Sequence, residues 1–281
     1  MNASTLAATL DAATAALRSA SPTPRLDAEV LVHHVCGATR ADRILYPQRV
    51  LSDAQQSALA ALIERRVNGE PIAYLTGRRE FWSLEIEVSP ATLIPRPETE
   101  LLVERALARL PLDGVAGVVD LGTGSGAIAL AIAYERPQLQ VVATERSAAA
   151  LAVARANAER LGLTNVELHQ GDWFAPLAGR RFDVIVSNPP YVRADDPHLS
   201  QGDVRFEPRE ALVAGADGLE AIRQIAEAAR THLEPGGWVL LEHGYDQAAA
   251  ARALFRRQRY HPIVSYRDLA RHERVTEARL A

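Results

Sequence analysis

The sequence predicts an α/β protein: a mostly parallel, doubly wound sheet of seven strands with an antiparallel hairpin at one edge, preceded by a small helical domain. Three observations carry this. From Val115 onward, short β-branched runs alternate with helix-length Ala- and Leu-rich runs, the pattern of strands joined by crossover helices. The last two strand-type runs have no helical pattern between them, which calls for an antiparallel pair. The first seventy or so residues show helical spacing alone.

Taken in order, Ala3 to Ala20 is Ala-rich with Leu6, Leu10 and Leu17 at helical spacing, and Asp27 to Cys36 repeats that character after a break at Pro22 and Pro24. Ser52 is a plausible cap for a third helix through Leu59, Leu62, Ile63 and Val67 to Asn68-Gly69. Residues 1–70 are therefore expected to form a helical bundle. Residues 71–96 follow as a linker: Pro71 to Gly77, then Glu80 to Val88, whose second half alternates with period two, suggest a hairpin or linker strands. Pro90, Pro95 and Pro97 keep Ser89 to Pro97 extended and stiff, and Glu98 to Leu110 reads as an amphipathic helix opening a domain over 97–281. The alternation then gives strands at Gly117–Leu121, Gln140–Thr144, Val166–His169, Phe182–Ser187 and Trp238–Glu242. Helices are expected at Ala127–Tyr134, Ala148–Leu161, Gly218–His232 and Gln247–Arg257. Ile263–Tyr266 and Arg274–Leu280 make the closing hairpin.

The bulk numbers narrow the function. The 281 residues carry 31 basic and 35 acidic side chains, and a net charge of -4 offers no general attraction to nucleic acid or anionic lipid. Cys36 is the single cysteine, so no internal disulfide framework exists and a reducing compartment fits. No apolar run approaches the length of a membrane span, and the N-terminus lacks the basic-then-apolar order of a secretory signal. A cytoplasmic monomer without stable nucleic-acid or membrane contact is expected.

Asp120-Leu121-Gly122-Thr123-Gly124-Ser125-Gly126-Ala127 joins the first strand of the sheet to its first helix. Glycines there let the backbone approach a ligand, and the helix start offers unpaired N–H donors. With Ala127 in the last place the stretch also satisfies the dinucleotide fingerprint, so a nicotinamide dehydrogenase has to be weighed. Glu145, at the end of the second strand, can accept hydrogen bonds from both ribose hydroxyls of either cofactor class. S-adenosylmethionine carries a cationic amino-acid tail in place of a pyrophosphate, and this favours an acidic residue, Asp120, at the start of the loop. Past the third strand, Asp172 offers a carboxylate for an adenine amino group and Trp173 a ring to pack on the base. No His or Tyr-Lys pair suggests a hydride-acceptor site. Methyl transfer is therefore preferred, with Gly122, Thr123, Gly124, Ser125 and Gly126 lining the cofactor.

Asp183 to Ser187 runs straight into Asn188-Pro189-Pro190-Tyr191. The two prolines end the strand and leave Asn188 facing out of it, at the sheet edge where open α/β folds bind ligands. A planar amide or aryl amine nitrogen is a poor nucleophile because its lone pair is delocalised. Accepting its N–H protons on fixed carbonyl oxygens raises its electron density and aims it. Asn188 supplies one such oxygen and the Pro189 backbone carbonyl another, while Pro190 stiffens the loop and Tyr191 packs on the flat group near the sulfonium. Asn188, Pro189 and Tyr191 are thus the candidate catalytic residues, acting by positioning and requiring no metal. The bland alternative is an Asn-Pro turn covered by a tyrosine. Adenine, cytosine and glutamine amides all remain open as substrates on this chemistry.

With these residues the chain resembles the release factor glutamine methyltransferases, the HemK/PrmC family. The resemblance spans nearly the whole length through Pro71 to Gly77, Glu80-Phe81-Trp82, Thr92 to Glu100, the glycine loop, Asp172-Trp173-Phe174 and Asn188 to Tyr191. Gly202 to Pro208, Leu241-Glu242-His243-Gly244 and Glu273-Arg274-Val275-Thr276 continue it. It implies a Rossmann-like class I fold dependent on S-adenosylmethionine, with S-adenosylhomocysteine as product, and as substrate the Gly-Gly-Gln glutamine of bacterial class 1 release factors. It further implies that Gly122 to Gly126, Glu145, Trp173 and Asn188 contact the cofactor and that Asn188 to Tyr191 hold the glutamine. One departure is Glu145, where the family commonly has Asp; the longer carboxylate still reaches a ribose.

Other candidates weigh less. His33, His34 and Cys36 match no common metal-site spacing. His243 reads as a packed histidine, Arg96 as orienting the substrate segment or pairing with Glu98 or Glu100, and Arg205 with Glu207 as bracing an ordered loop over Gly202 to Pro208 beside the active site. A ribosomal-protein glutamine methyltransferase is the nearest rival. A DNA adenine methyltransferase is opposed by the acidic charge, and a non-enzymatic translation adaptor by the intact glycine loop.

Overall fold

Leu6, Leu10, Ala13 and Leu17 form one buried face of α1 (Leu6–Leu17), as helical spacing requires. In the computed structural model, which describes residues 5–112 and 114–280, the expected start at Ala3 lies outside the described residues. α2 (Pro24–Cys36) begins at Pro24 rather than Asp27, because a proline at the first helical position sacrifices no hydrogen bond. α3 (Arg40–Leu45) escaped the sequence reading, although Thr39 and Asp42 form a reciprocal capping box around its start. Ser52 and Gln55 do the same for α4 (Asp53–Val67). Pro71 to Gly77, expected as linker strand, is instead a short helix, α5 (Ile72–Thr76), with Pro71 at its start and Gly77 at φ 73 closing it.

These helices pack around Leu6, Leu10, Leu31, Val32, Leu51 and Leu59. They form the first of two units, which runs to Arg78 and takes in Ser200–Phe206. Within it the buried Arg66 guanidinium pairs with Asp27 at 2.8 Å and Asp203 at 2.9 Å, and Arg205 donates to the Asn68 carbonyl at 2.7 Å. Gly202 to Pro208, expected as one ordered loop, is divided: 200–206 belongs with the helical unit, held there by these contacts, while Glu207 and Pro208 belong with the second unit.

The second unit comprises Arg79–Leu199 and the chain from Glu207 onward. β1 (Arg78–Phe81) and β2 (Leu84–Glu87) form a hairpin whose two turn residues, Trp82 and Ser83, both take positive φ, at 54 and 59. Such a turn suits the twist of a hairpin but strains non-glycine residues. Local anchors hold it: Trp82 donates from its backbone to Glu100 and from its indole to Glu135, and the Ser83 N–H donates to Glu80. A single 3-10 turn at Pro97–Thr99 then leads into α6 (Glu100–Leu107).

The seven-stranded sheet contains β3 (Val118–Leu121), β4 (Val141–Glu145), β5 (Val166–Gln170), β6 (Phe182–Ser187), β7 (Leu233–Glu242), β8 (Tyr260–Arg267) and β9 (Glu273–Leu280), in the spatial order β5-β4-β3-β6-β7-β9-β8. The first five are parallel, and β9 inserts antiparallel between β7 and β8, so the closing hairpin sits at the edge with its last strand inward. β7 begins at Leu233, earlier than the expected Trp238, and Pro235-Gly236-Gly237 is absorbed as an irregularity opposite Phe182 and Val184. α7 (Ala127–Glu135), α8 (Ala148–Arg160), α9 (Glu220–His232) and α10 (Ala248–Arg257) complete the layers. β3 is buried throughout, Asp120 included, and β6 everywhere but Asp183, as central strands covered on both faces are. Truncating one of their large side chains to alanine would cost about 2–5 kcal/mol. Glu277, buried on β9, is neutralised by Arg105 of α6 and by Arg109 just past the end of that helix, and accepts the Tyr266 hydroxyl at 2.7 Å. Among the described residues no helix is long and apolar enough to cross a membrane.

Candidate active site

The order of strands reverses between β3 and β6, so the loops that leave their carboxyl ends part in opposite directions and open a crevice. The glycine loop leaves β3 and Asn188-Pro189-Pro190-Tyr191 leaves β6. Ser187 Oγ donates to the Leu121 carbonyl at 2.7 Å, tying the two strand ends together. Between the loops lies a cleft of about 370 Å³, a size suited to a small ligand.

One wall is backbone. The Gly122 and Thr123 N–H groups donate to the Thr144 carbonyl at 2.8 and 3.0 Å, which folds the loop back over β4. Gly122 has φ +70, and a Cβ there would stand 3.1 Å from the Trp173 ring, so this glycine answers both a left-handed backbone and a close aromatic approach. Glu145 accepts from the Gly124 N–H at 3.0 Å through one oxygen and from the Ser147 N–H at 2.8 Å through the other. It braces the loop while facing the cleft, and a carboxylate with four acceptor directions has room for further donors. Trp173, itself at φ 44, donates its indole N–H to Gln224 at 3.2 Å.

Asp120 is placed differently. It is fully buried beneath the loop, with Oδ2 accepting from the Thr123 hydroxyl at 2.6 Å and the Ala129 N–H at 3.2 Å. Burial pushes its carboxyl up to about 7. It does not line the cleft, whereas Gly122, Thr123, Gly124, Ser125, Glu145, Asp172 and Trp173 do. Gly126 sits behind the loop at φ +88, where Leu130 and Ala154 crowd it.

The opposite wall is built from side chains and prolines. Asn188 and Pro190 line the cleft; Pro189 is buried behind them, and its carbonyl accepts no backbone hydrogen bond among the described residues. Asn188 Nδ2 donates to the Thr99 hydroxyl at 3.2 Å, which leaves Oδ1 as the free acceptor. Tyr191 does not line the cleft: its hydroxyl donates to Glu242 at 3.2 Å, and burial pushes the phenol well above its ordinary range. Its backbone is held as well, by Gln247 on its carbonyl and by Leu212, whose carbonyl accepts its N–H. Ala91, Thr92, Leu93 and Pro95 of the proline-rich segment complete the rim.

Several contributors escaped sequence reasoning. Thr99 and Gln224 face the cleft, and Asn157, wholly buried on α8, donates to the Ser125 and Glu87 carbonyls at 2.9 Å each. Only the buried Asn within an alanine-rich helix gave a usable signal, since an unpaired amide there would be costly. Arg96 pairs with Glu207, not with Glu98 or Glu100, and Glu207 also accepts the Ile94 N–H at 3.3 Å. Arg205 and Glu207 therefore brace different neighbours. His243 is packed, with Nε2 2.8 Å from the Thr276 hydroxyl. Among the described residues no His, Cys, Asp and Glu cluster could hold a metal.

A sheet in this order, with a glycine loop and a strand-end carboxylate at its switch point, is the class I S-adenosylmethionine-dependent methyltransferase fold. Residues 97–203 match the methyltransferase small domain and residues 8–77 the PrmC N-terminal domain. The chain belongs to the release factor glutamine methyltransferases. It is 55% identical to the release factor glutamine methyltransferase of Salmonella typhimurium over 91% of this chain and 92% of that protein. It is 52% identical to that of Escherichia coli K12 over 92% and 94%. A methyltransferase from Pyrococcus furiosus, 21% identical, superposes with a TM-score of 0.54 over 81% of this chain and 98% of its own, a likeness of fold alone.

Proposed function

We propose that this enzyme methylates the side-chain amide nitrogen of the glutamine in the Gly-Gly-Gln motif of bacterial class 1 peptide chain release factors, using S-adenosylmethionine and leaving S-adenosylhomocysteine. The observation that carries the reading is the Asn188 amide, tied at Nδ2 by Thr99 so that Oδ1 faces the cleft across from the glycine loop.

The cleft's chemistry fits that cofactor. The glycine-lined wall, which a Cβ at Gly122 would obstruct, admits a flat base beside Trp173; Glu145 and Asp172 supply acceptors for hydroxyl and amino groups. When bound, the cofactor supplies an electrophilic methyl group on a sulfonium. Asn188 Oδ1 and the Pro189 carbonyl accept the two N–H protons of the glutamine amide, turning its nitrogen lone pair toward that methyl. The two prolines hold these acceptors without rearrangement, so positioning supplies most of the acceleration. Tyr191 contributes from behind, its hydroxyl on Glu242 fixing the far end of the loop. Asp120 supports the glycine loop from below, in place of the direct cofactor contact expected from sequence.

The helices up to residue 70 serve, in this reading, to dock the release factor, with the hairpin segment as linker. The net charge of -4 favours a protein substrate over nucleic acid, and the enzyme works as a cytoplasmic monomer. The test incubates the full chain with labelled S-adenosylmethionine and a release factor, or the same factor with the Gly-Gly-Gln glutamine changed to alanine. Label on the intact factor only is expected. Label persisting on the altered factor, or appearing only on a ribosomal protein or on DNA, would overturn the assignment.

A further inference from the structure

Glu242 closes β7, the strand beside β6, and none of its surface reaches solvent. Oε1 accepts the Tyr191 hydroxyl, the Thr99 hydroxyl supports the same carboxylate, and Oε2 has no hydrogen-bond partner among the described residues. Thr99 in turn receives Asn188 Nδ2–H. A hydroxyl has one proton to give. While a carboxylate takes it, the Thr99 oxygen can only accept from Asn188, and the amide must show Nδ2 to Thr99 and Oδ1 to the cleft.

We propose that Glu242 is a positioning residue that fixes, through Thr99, which end of the Asn188 amide faces the substrate, and through Tyr191 anchors the other end of the same loop. The inference rests on the reading of Asn188 as the acceptor of the substrate's amide protons. Without the carboxylate, the Thr99 proton is free to turn to Asn188 Oδ1. The amide then rotates and presents N–H donors to a substrate that itself offers N–H donors, and the productive approach is lost. The glycine-loop wall is untouched by this change, because its hydrogen bonds run to Thr144 and Glu145.

The groups facing Glu242 come from several elements: Tyr191 after β6, Glu98 before α6 and Arg274 on β9. Burial pushes its carboxyl up to about 7 against the Thr99 hydroxyl; Glu98 adds to the rise, and Tyr191 and Arg274 oppose it. Orientation of Asn188 is thus complete only once Glu242 ionises, and turnover should climb as pH rises through neutrality.

The experiment measures kcat and KM on a release factor, and S-adenosylhomocysteine affinity by calorimetry, for wild type, Glu242→Gln, Thr99→Val, Thr99→Ser and Asn188→Ala, from roughly pH 6 to 9. Glu242→Gln is expected to lower kcat by about 30-fold or more, with cofactor-product affinity held within about threefold. It should also lose the wild-type rise near neutral pH. Thr99→Val should behave alike, and Thr99→Ser, which keeps the hydroxyl, should recover most of the turnover. Unchanged kcat in Glu242→Gln, a matching loss of cofactor-product affinity, or a pH rise that survives the substitution would each overturn the proposal. Should Glu242→Gln fail to fold, the Thr99→Val and Thr99→Ser pair decides by the same criteria. Wild type inactive on the glutamine, or Asn188→Ala fully active, would instead overturn the underlying reading; an impaired Asn188→Ala beside a normal Glu242→Gln defeats this inference alone.

Discussion

The two loops that face each other across the cleft are built on opposite principles. The glycine loop after β3 succeeds by lacking side chains: its shape comes from backbone N–H groups bound to Thr144 and Glu145, and its surface is open because Gly122 leaves room for Trp173. The Asn188–Tyr191 loop after β6 succeeds by having them: two prolines fix the backbone, and Asn188 and Tyr191 are each tied by a side-chain hydrogen bond. Under the proposed function, the difference teaches a division of labour. A surface that binds a large flat ligand needs access, while one that aims a single nitrogen needs directed acceptors.

Substitutions on each side should break differently. The largest effect is expected for Asn188→Ala, which removes a directed acceptor: turnover should fall by about a hundredfold or more while S-adenosylhomocysteine affinity changes little, as steady-state kinetics with calorimetry would show. Equal turnover would mean that the two loops do not divide the work in this way. Gly122→Ala should do the reverse. A non-glycine residue at that φ costs about 1–3 kcal/mol, and its Cβ presses on Trp173, so cofactor affinity should weaken about tenfold or more. The comparison would fail if kcat at saturating cofactor fell as far as it does in Asn188→Ala.

The smallest effect concerns what lies under the glycine loop. The Asp120 carboxyl is raised from 3.8 to about 7 by burial, so the folded chain holds that proton more tightly than the unfolded one. The resulting stability is fully present below about pH 4 and lost as pH rises through about 7. Asp120→Asn, which still offers an oxygen to Thr123 and Ala129, should therefore flatten the decline in urea midpoint between about pH 5 and 8 relative to wild type. A decline as steep as that of wild type would show that Asp120 is not the group responsible.

Much of this was legible in the chain. Alternating runs announced the sheet, and the apolar run Val184–Val186 marked a central strand, because a parallel strand covered on both faces favours such residues. Both loops announced themselves through glycine and proline, whose backbone effects are local. What escaped notice was long-range or compensated. Trp82 and Ser83 occupy positive φ without glycine, held by Glu100 and Glu80. Pro235-Gly236-Gly237 lies inside a strand that its neighbours tolerate. Arg96 found its partner in Glu207, more than a hundred residues away, and no spacing rule reaches that far.

The sequence by itself determined the alternation of strand and helix from Val115 onward and the two loops that line the cleft, since each depends on backbone preferences and periodicities confined to a few residues. Tertiary structure alone decided where the side chains point. It turned Asp120 inward under its loop and Tyr191 away from the cleft toward Glu242, and it brought Thr99, 89 residues away in the chain, to the Asn188 amide. Those outcomes depend on which strands become neighbours, and only the packed sheet fixes that.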